Sequence, residues 1–160
     1  GYPATRTRMR AAVADSGLKN PVFLGGDIHS FWVTDLKADY DDPASRTVGT
    51  EFVGTSVTSD GPNGDQIAAV MSANPHVKFF DGRQRGYVAV EVTPGRMETR
   101  LQVISDRRDP KATVSTIGRR VVEDGRPGAL PASPPFLRSS RRKPGSRSHA
   151  LVLMGGPLSS

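Results

Sequence analysis

The sequence predicts a strand-rich α/β chain of the mixed α+β kind, one sheet of a two-sheet sandwich with helices outside. Three observations carry this expectation. Short runs of β-branched and aromatic residues recur along most of the 160 residues, two of them alternating with period two, and they are separated by turn signals rich in Gly, Pro, Asn and Asp. Gly 17 and Pro 13 place much of the chain in turns and loops. Apolar content of 36% with 6% aromatic allows one thin core.

The elements follow in order. Thr5 to Asp15, with Met9, Ala12 and Val13 on one side and Gly17 as a stop, reads as an amphipathic helix that covers a sheet. Val22-Phe23-Leu24 reads as a buried strand. Ser30 to Leu36 and Thr50 to Ser56 are further short strands, the second running into a Ser/Thr/Gly/Asp-rich loop that ends near Asn63-Gly64. Asp65 is the cap of a short helix through Ala73, with Ile67, Val70 and Met71 as its apolar side. Val77 to Phe80, Tyr87 to Val92 and Met97 to Ile104 are strands. In the last two, Val88, Val90 and Val92 share one face, as do Met97, Leu101 and Val103, and Thr93-Pro94-Gly95-Arg96 makes the hairpin turn between them. Thr113 to Val122 adds one more strand. No internal repeat is visible.

The chemistry concentrates at Gly25-Gly26-Asp27-Ile28-His29. A buried strand breaks at two glycines, which let the backbone turn or approach a ligand, and then presents a carboxylate and an imidazole two residues apart. Extended spacing would put Asp27 and His29 on one side, facing the same ions. Oxygen with neutral imidazole suits iron, manganese or zinc, and calcium if the remaining shell is oxygen. The bland alternative is a turn role for Asp27 and a packed His29.

Around this motif the sequence resembles the C-terminal part of the catalytic domain of the PhoD-type alkaline phosphatases, within the calcineurin-like metallophosphatase superfamily. The closing metal motif of that family, Gly-His-x-His in most relatives, is here Gly26-Asp27-Ile28-His29, with Asp27 in place of the first histidine. The likeness continues in order through 35–43, 49–59, Asn74-Pro75-His76-Val77-Lys78-Phe79-Phe80, Arg85-Gly86-Tyr87-Val88 and Val122-Glu123-Asp124-Gly125-Arg126-Pro127-Gly128. It implies a four-layer α/β/β/α sandwich, with residues 1–130 as the C-terminal portion of the catalytic domain. It also implies iron and calcium as cofactors, a phosphate mono- or diester as substrate attacked by a metal-held hydroxide, and an exported parent. The other metal ligands and most phosphate-contacting groups would lie on N-terminal segments of the same domain that precede Gly1. A catalytically inactive remnant, or a noncatalytic β-rich module with a basic tail, is the alternative.

Other residues carry two readings each. His76, after Asn74-Pro75, is a candidate pocket or proton-transfer residue, or a loop imidazole satisfied by a carbonyl. Arg83 and Arg85 flank a turn where a guanidinium can clamp phosphate bidentately, or where charge is merely solvated; Arg85 is the substrate candidate. Trp32 packs under a site more readily than it contacts ligand. Asp39, Asp41 and Asp42 are calcium candidates or a solvated acidic loop, and Ser56, Thr58 and Ser59 have no base nearby in sequence.

The net charge of +6 invites a nucleic-acid reading, but five of the 22 Lys and Arg residues and no acid lie in 131–160, leaving 17 basic against 16 acidic residues in the first 130. That composition predicts a basic, disordered tail and no specific nucleic-acid partner. The tail departs from the family pattern at about Ala132. No run approaches the roughly 18 apolar residues of a membrane span, and no signal-peptide pattern opens the chain. The absence of cysteine excludes disulfides and thiolate ligands from the chain.

Overall fold

The computed structural model describes residues 2–42, 44–62, 65, 67, 69 and 71–132. One helix, α1 (Pro3–Asp15), precedes eight strands: β1 (Val22–Gly25), β2 (Phe31–Lys37), β3 (Thr47–Val53), β4 (Val77–Asp81), β5 (Gly86–Thr93), β6 (Arg96–Ile104), β7 (Val114–Glu123) and β8 (Arg126–Pro131). They form two four-stranded sheets, ordered β1-β3-β2-β4 and β5-β6-β7-β8. The first is antiparallel except for its parallel β1–β3 pair, and the second is an antiparallel meander.

Alternation sorts the first sheet into two faces. Leu24, Phe52 and Val33 are register partners on the inner face, whereas Phe23, Glu51 and Thr34 are partners on the outer one. The inner face meets the second sheet: Phe31, Val33 and Phe52 form one cluster with Leu101, Val103, Val122 and Ala129. Phe31, Val33 and Leu101 are fully buried, so truncating Phe31 to alanine should cost about 3–5 kcal/mol.

A buried polar tie also joins the sheets. Asp35 on β2 accepts a hydrogen bond from the Ala129 N–H of β8 at 3.0 Å, and the Gly128 N–H donates to Thr50 Oγ1 at 3.1 Å. Gly128 makes this possible. Its φ is +109, a conformation L side chains rarely adopt, and an added Cβ would sit 3.4 Å from Asp35 Oδ1.

Several expectations change. Both sheets of the sandwich contribute strands to this chain, where the sequence suggested one. The chain passes between them at residues 82–85, a turn in which Asp81 Oδ1 accepts from the Arg83 and Gln84 amides. β8 was not foreseen, because Arg126-Pro127-Gly128-Ala129-Leu130-Pro131 reads as strand-breaking; it is an edge strand, where missing N–H groups are tolerated. The valine face of β5 outruns the core: Val88 packs against it, but Val90 and Val92 are exposed. α1 covers less than expected. It begins on Pro3, suited to a first helical position, yet no residue in it is buried and Met9 is exposed. Arg6, Arg8 and Arg10 interrupt any continuous apolar stripe, and the helix is held partly by polar means, with Arg46 donating to the Ala14 carbonyl at 3.2 Å and Arg10 lying 4.8 Å over the Tyr40 ring. Of the short helix expected over 65–73, residues 66, 68 and 70 lie outside the described residues and Met71–Ala73 is one 3-10 turn; the tail expected from 131 lies outside them beyond Ala132.

Candidate metal centre

β1 ends at Gly25, whose carbonyl accepts from the Gly54 amide at 2.9 Å, and the backbone then folds back on itself. The Ile28 amide donates to the Gly26 carbonyl at 3.0 Å around Asp27, whose φ is +76. That is a γ-turn of the rare positive-φ kind. His29 follows at φ +55. These two are the only non-glycine residues with positive φ among the described residues, and each such conformation costs on the order of 1–3 kcal/mol. The extended spacing that placed both side chains on one side is therefore replaced by a tight, strained corner; local hydrogen bonding overrides the period of two.

The strain is held from three sides. His29 Nδ1 lies 2.7 Å from the Asp60 carbonyl oxygen. A carbonyl only accepts, so Nδ1 carries the proton, and in the neutral ring Nε2 keeps its lone pair. Imidazoles that bind metals are commonly oriented by such a carbonyl. Below the corner, buried Ser30 accepts from Trp32 Nε1 at 2.8 Å, and the indole packs 4.5 Å from the Phe80 ring, so Trp32 braces the corner from beneath. On the third side stands Arg85, also buried. Its Nη1 donates to the His29 carbonyl at 2.8 Å, Ser59 carbonyl at 3.2 Å and Ser56 Oγ at 3.2 Å, and its Nη2 to the Gly82 carbonyl at 2.7 Å. The guanidinium expected to clamp phosphate grips protein oxygens. Arg83 is engaged too, in an exposed ion pair with Asp65.

His76 stands elsewhere. It lines an open cleft of about 960 Å³ over the outer face of the first sheet, together with Trp32, Tyr40, Glu51 and Arg10. Its ring meets the Tyr40 ring edge-on at 4.7 Å. Burial, and then the charge of Lys78, push its pKa below the usual histidine value. Across the cleft, burial raises the Glu51 carboxyl above its usual value against the lowering pull of Arg6. Neither this cleft nor the smaller one beside Arg107 is lined by Asp27 or His29. The acidic loop at 39–42 satisfies itself through Asx turns, Asp39 Oδ1 accepting from the Asp41 amide and Asp42 Oδ1 from the Ala44 amide.

Asp27 and His29 thus share one corner, and the structure separates His76 from it. Among the described residues no cluster of three His, Cys, Asp or Glu side chains suits a metal ion. The donor set that is present, an exposed carboxylate beside an imidazole with an oriented free nitrogen, fits two ligands of a larger oxygen and nitrogen shell. Sequence reading missed Glu51, half-buried on the outer face of the first sheet; the signal was a carboxylate within the strand segment Thr50-Glu51-Phe52.

The comparisons with known proteins point the same way. The profile of the PhoD-like phosphatase family matches residues 1–101. Alkaline phosphatase D of Bacillus subtilis strain 168 is 39% identical over 119 residues, which are 72% of this chain and 20% of that protein. A solved structure of PhoD superposes with a TM-score of 0.70 at 33% identity, covering 86% of this chain and 27% of that one. The chain spans about a fifth of the length of the curated relative it matches.

Proposed function

This chain belongs to the PhoD-like phosphatase family, and we propose from that premise that it forms the C-terminal portion of a metal-dependent catalytic domain that hydrolyses phosphate mono- or diesters. Asp27 and His29 supply two of its metal ligands. The observation that carries the assignment is the His29 Nδ1 contact to the Asp60 carbonyl at 2.7 Å, which leaves Nε2 as a free and oriented donor.

Bound metal would withdraw charge from the phosphoryl oxygens and lower the pKa of water. The chain's own residues do the holding. The γ-turn at Asp27 lifts a carboxylate clear of the sheet, and the Asp60 carbonyl fixes the imidazole's tautomer. Trp32 and Arg85 keep both from collapsing into an ordinary turn. The remaining ligands belong to parts of the parent domain outside this chain. Iron with calcium follows the family resemblance, and manganese or zinc suits the same donors. Export of the parent rests on that resemblance alone; among the described residues no helix is long and apolar enough to cross a membrane. His76 opens onto another cleft and is given no step.

The test is His29→Ala in the full-length protein that carries this segment. Metal content and turnover of chromogenic phosphate mono- and diesters should both fall by orders of magnitude, with the melting temperature of the metal-free form little changed. Undiminished metal and turnover would remove His29 from the site, and a wild type without metal or turnover would leave a noncatalytic β-rich module as the reading.

A further inference from the structure

We infer that Arg85 is a positioning residue for the metal corner, and that Gly61 is the position that lets it reach there. The inference rests on the metal reading of Asp27 and His29. Arg85 stands 56 residues from His29 in sequence, yet its Nη1 joins the His29 carbonyl to the Ser59 carbonyl, with Ser56 Oγ as a third acceptor. The carbonyl that takes the His29 Nδ1 proton belongs to Asp60, the residue immediately after Ser59. One guanidinium therefore sets the spacing between the backbone of His29 and the loop that orients its ring.

Only a residue without a side chain fits beside this contact. A Cβ on Gly61 would lie 2.5 Å from the His29 carbonyl oxygen and 2.6 Å from both terminal nitrogens of Arg85. Such distances force the guanidinium or the carbonyl away. Lysine cannot replace Arg85, since a single ammonium on a flexible stem cannot span oxygens spread over 29, 56, 59 and 82. Arg107 holds the same loop from outside, through the Thr58 carbonyl at 2.9 Å and the Asp60 carboxylate at 2.6 Å, but that carboxylate is 89% exposed and the hold is correspondingly weak.

The experiment uses the full-length protein that carries this segment, with nitrogen-labelled histidine and the metal removed, read by long-range proton–nitrogen NMR at alkaline pH, where the rings are neutral. Wild type should show His29 protonated at Nδ1. In Arg85→Ala, and separately in Gly61→Ala, that signal should shift toward the Nε2-protonated or exchange-averaged pattern, and binding of manganese or cobalt should weaken about ten- to hundredfold. Arg85→Lys should not restore either. His76, packed on Tyr40 in the other cleft, should keep its wild-type signals, which separates a local role from general unfolding. An unchanged His29 tautomer in both variants would overturn the inference, and so would loss of the native His76 signals in both. A tautomer shift in a full-length protein whose wild type binds neither metal would sink the metal reading while upholding the positioning role.

Discussion

The corner at Asp27 and His29 and the cleft at His76 are the two places where the sequence offers reactive side chains, and they are built in opposite ways. The corner lines neither cleft but is over-determined: two positive-φ residues, a carbonyl aimed at one ring nitrogen, and a buried arginine tying three loops. The cleft is large, and burial shifts two of its groups, Glu51 and His76, toward their uncharged forms. Strain that persists marks a place the surrounding structure pays to keep, whereas volume beside a thinly covering helix does not. Ligand-grade geometry is better read from how a donor is held than from how much space lies near it.

The strongest way to break this contrast is to substitute both histidines in the full-length protein. His29→Gln should lower turnover by about a hundredfold or more, and His76→Gln by less than about tenfold; reversed magnitudes would move the site to the cleft. Next, the 160-residue chain alone should show no metal-dependent turnover of phosphate esters, because two ligands cannot position the attacking oxygen or clamp the phosphoryl group. Turnover that disappears in Asp27→Asn would show instead that the corner holds a complete site. A smaller effect tests the strain itself. Asp27→Gly should stabilise the metal-free chain by up to about 1 kcal/mol, since glycine adopts φ +76 freely at a modest entropic cost, while metal binding falls. Destabilisation on chemical denaturation would mean the turn is not strained.

The cleft makes its own, weaker prediction, which depends on pH. Glu51 titrates above 4.5 in the folded chain, so its contribution favours folding below pH 4.5 and is lost as pH rises through the folded value. Glu51→Gln should therefore raise the melting temperature at neutral pH and leave it unchanged in acid. His76 titrates below 6.5, so its contribution is present above pH 6.5 and is lost as pH falls through the folded value. The two slopes oppose one another, and a melting series in His76→Gln should lack the second. Identical pH profiles for wild type and both variants would show that neither group is desolvated.

What was legible in the sequence follows from range. Seven of the eight strands announced themselves by β-branched runs, since alternation is a local property. β8 did not, although Asp124-Gly125 between Glu123 and Arg126 is a two-residue hairpin signal, with Gly125 at φ +72. The shape of the motif at 26–29 was not legible, because the γ-turn depends on one backbone hydrogen bond that no periodicity reports. Arg85 was legible as a charge at a turn. That it faces inward depends on acceptors 26 to 56 residues away, and sequence spacing carries nothing about them.

The buried contact between Asp35 and the Ala129 amide bears on how such a chain comes to be folded. The two groups are 94 residues apart, and the neighbouring Thr50 bond to Gly128 closes a span of 78. Loop closure of that length is among the slower steps available to a small domain. During synthesis the first sheet emerges early and holds a carboxylate on its inner face with no amide yet made to receive it. Lys78 of β4 pairs with Asp35 Oδ2 at 3.5 Å within the first sheet, but only when the β7–β8 hairpin leaves the ribosome can Oδ1 receive its amide and the two sheets lock. Until then the inner faces of β2 and β3, with Phe31, Val33 and Phe52, remain open to other chains, so a chain interrupted before residue 129 is expected to aggregate where one that reaches β8 does not.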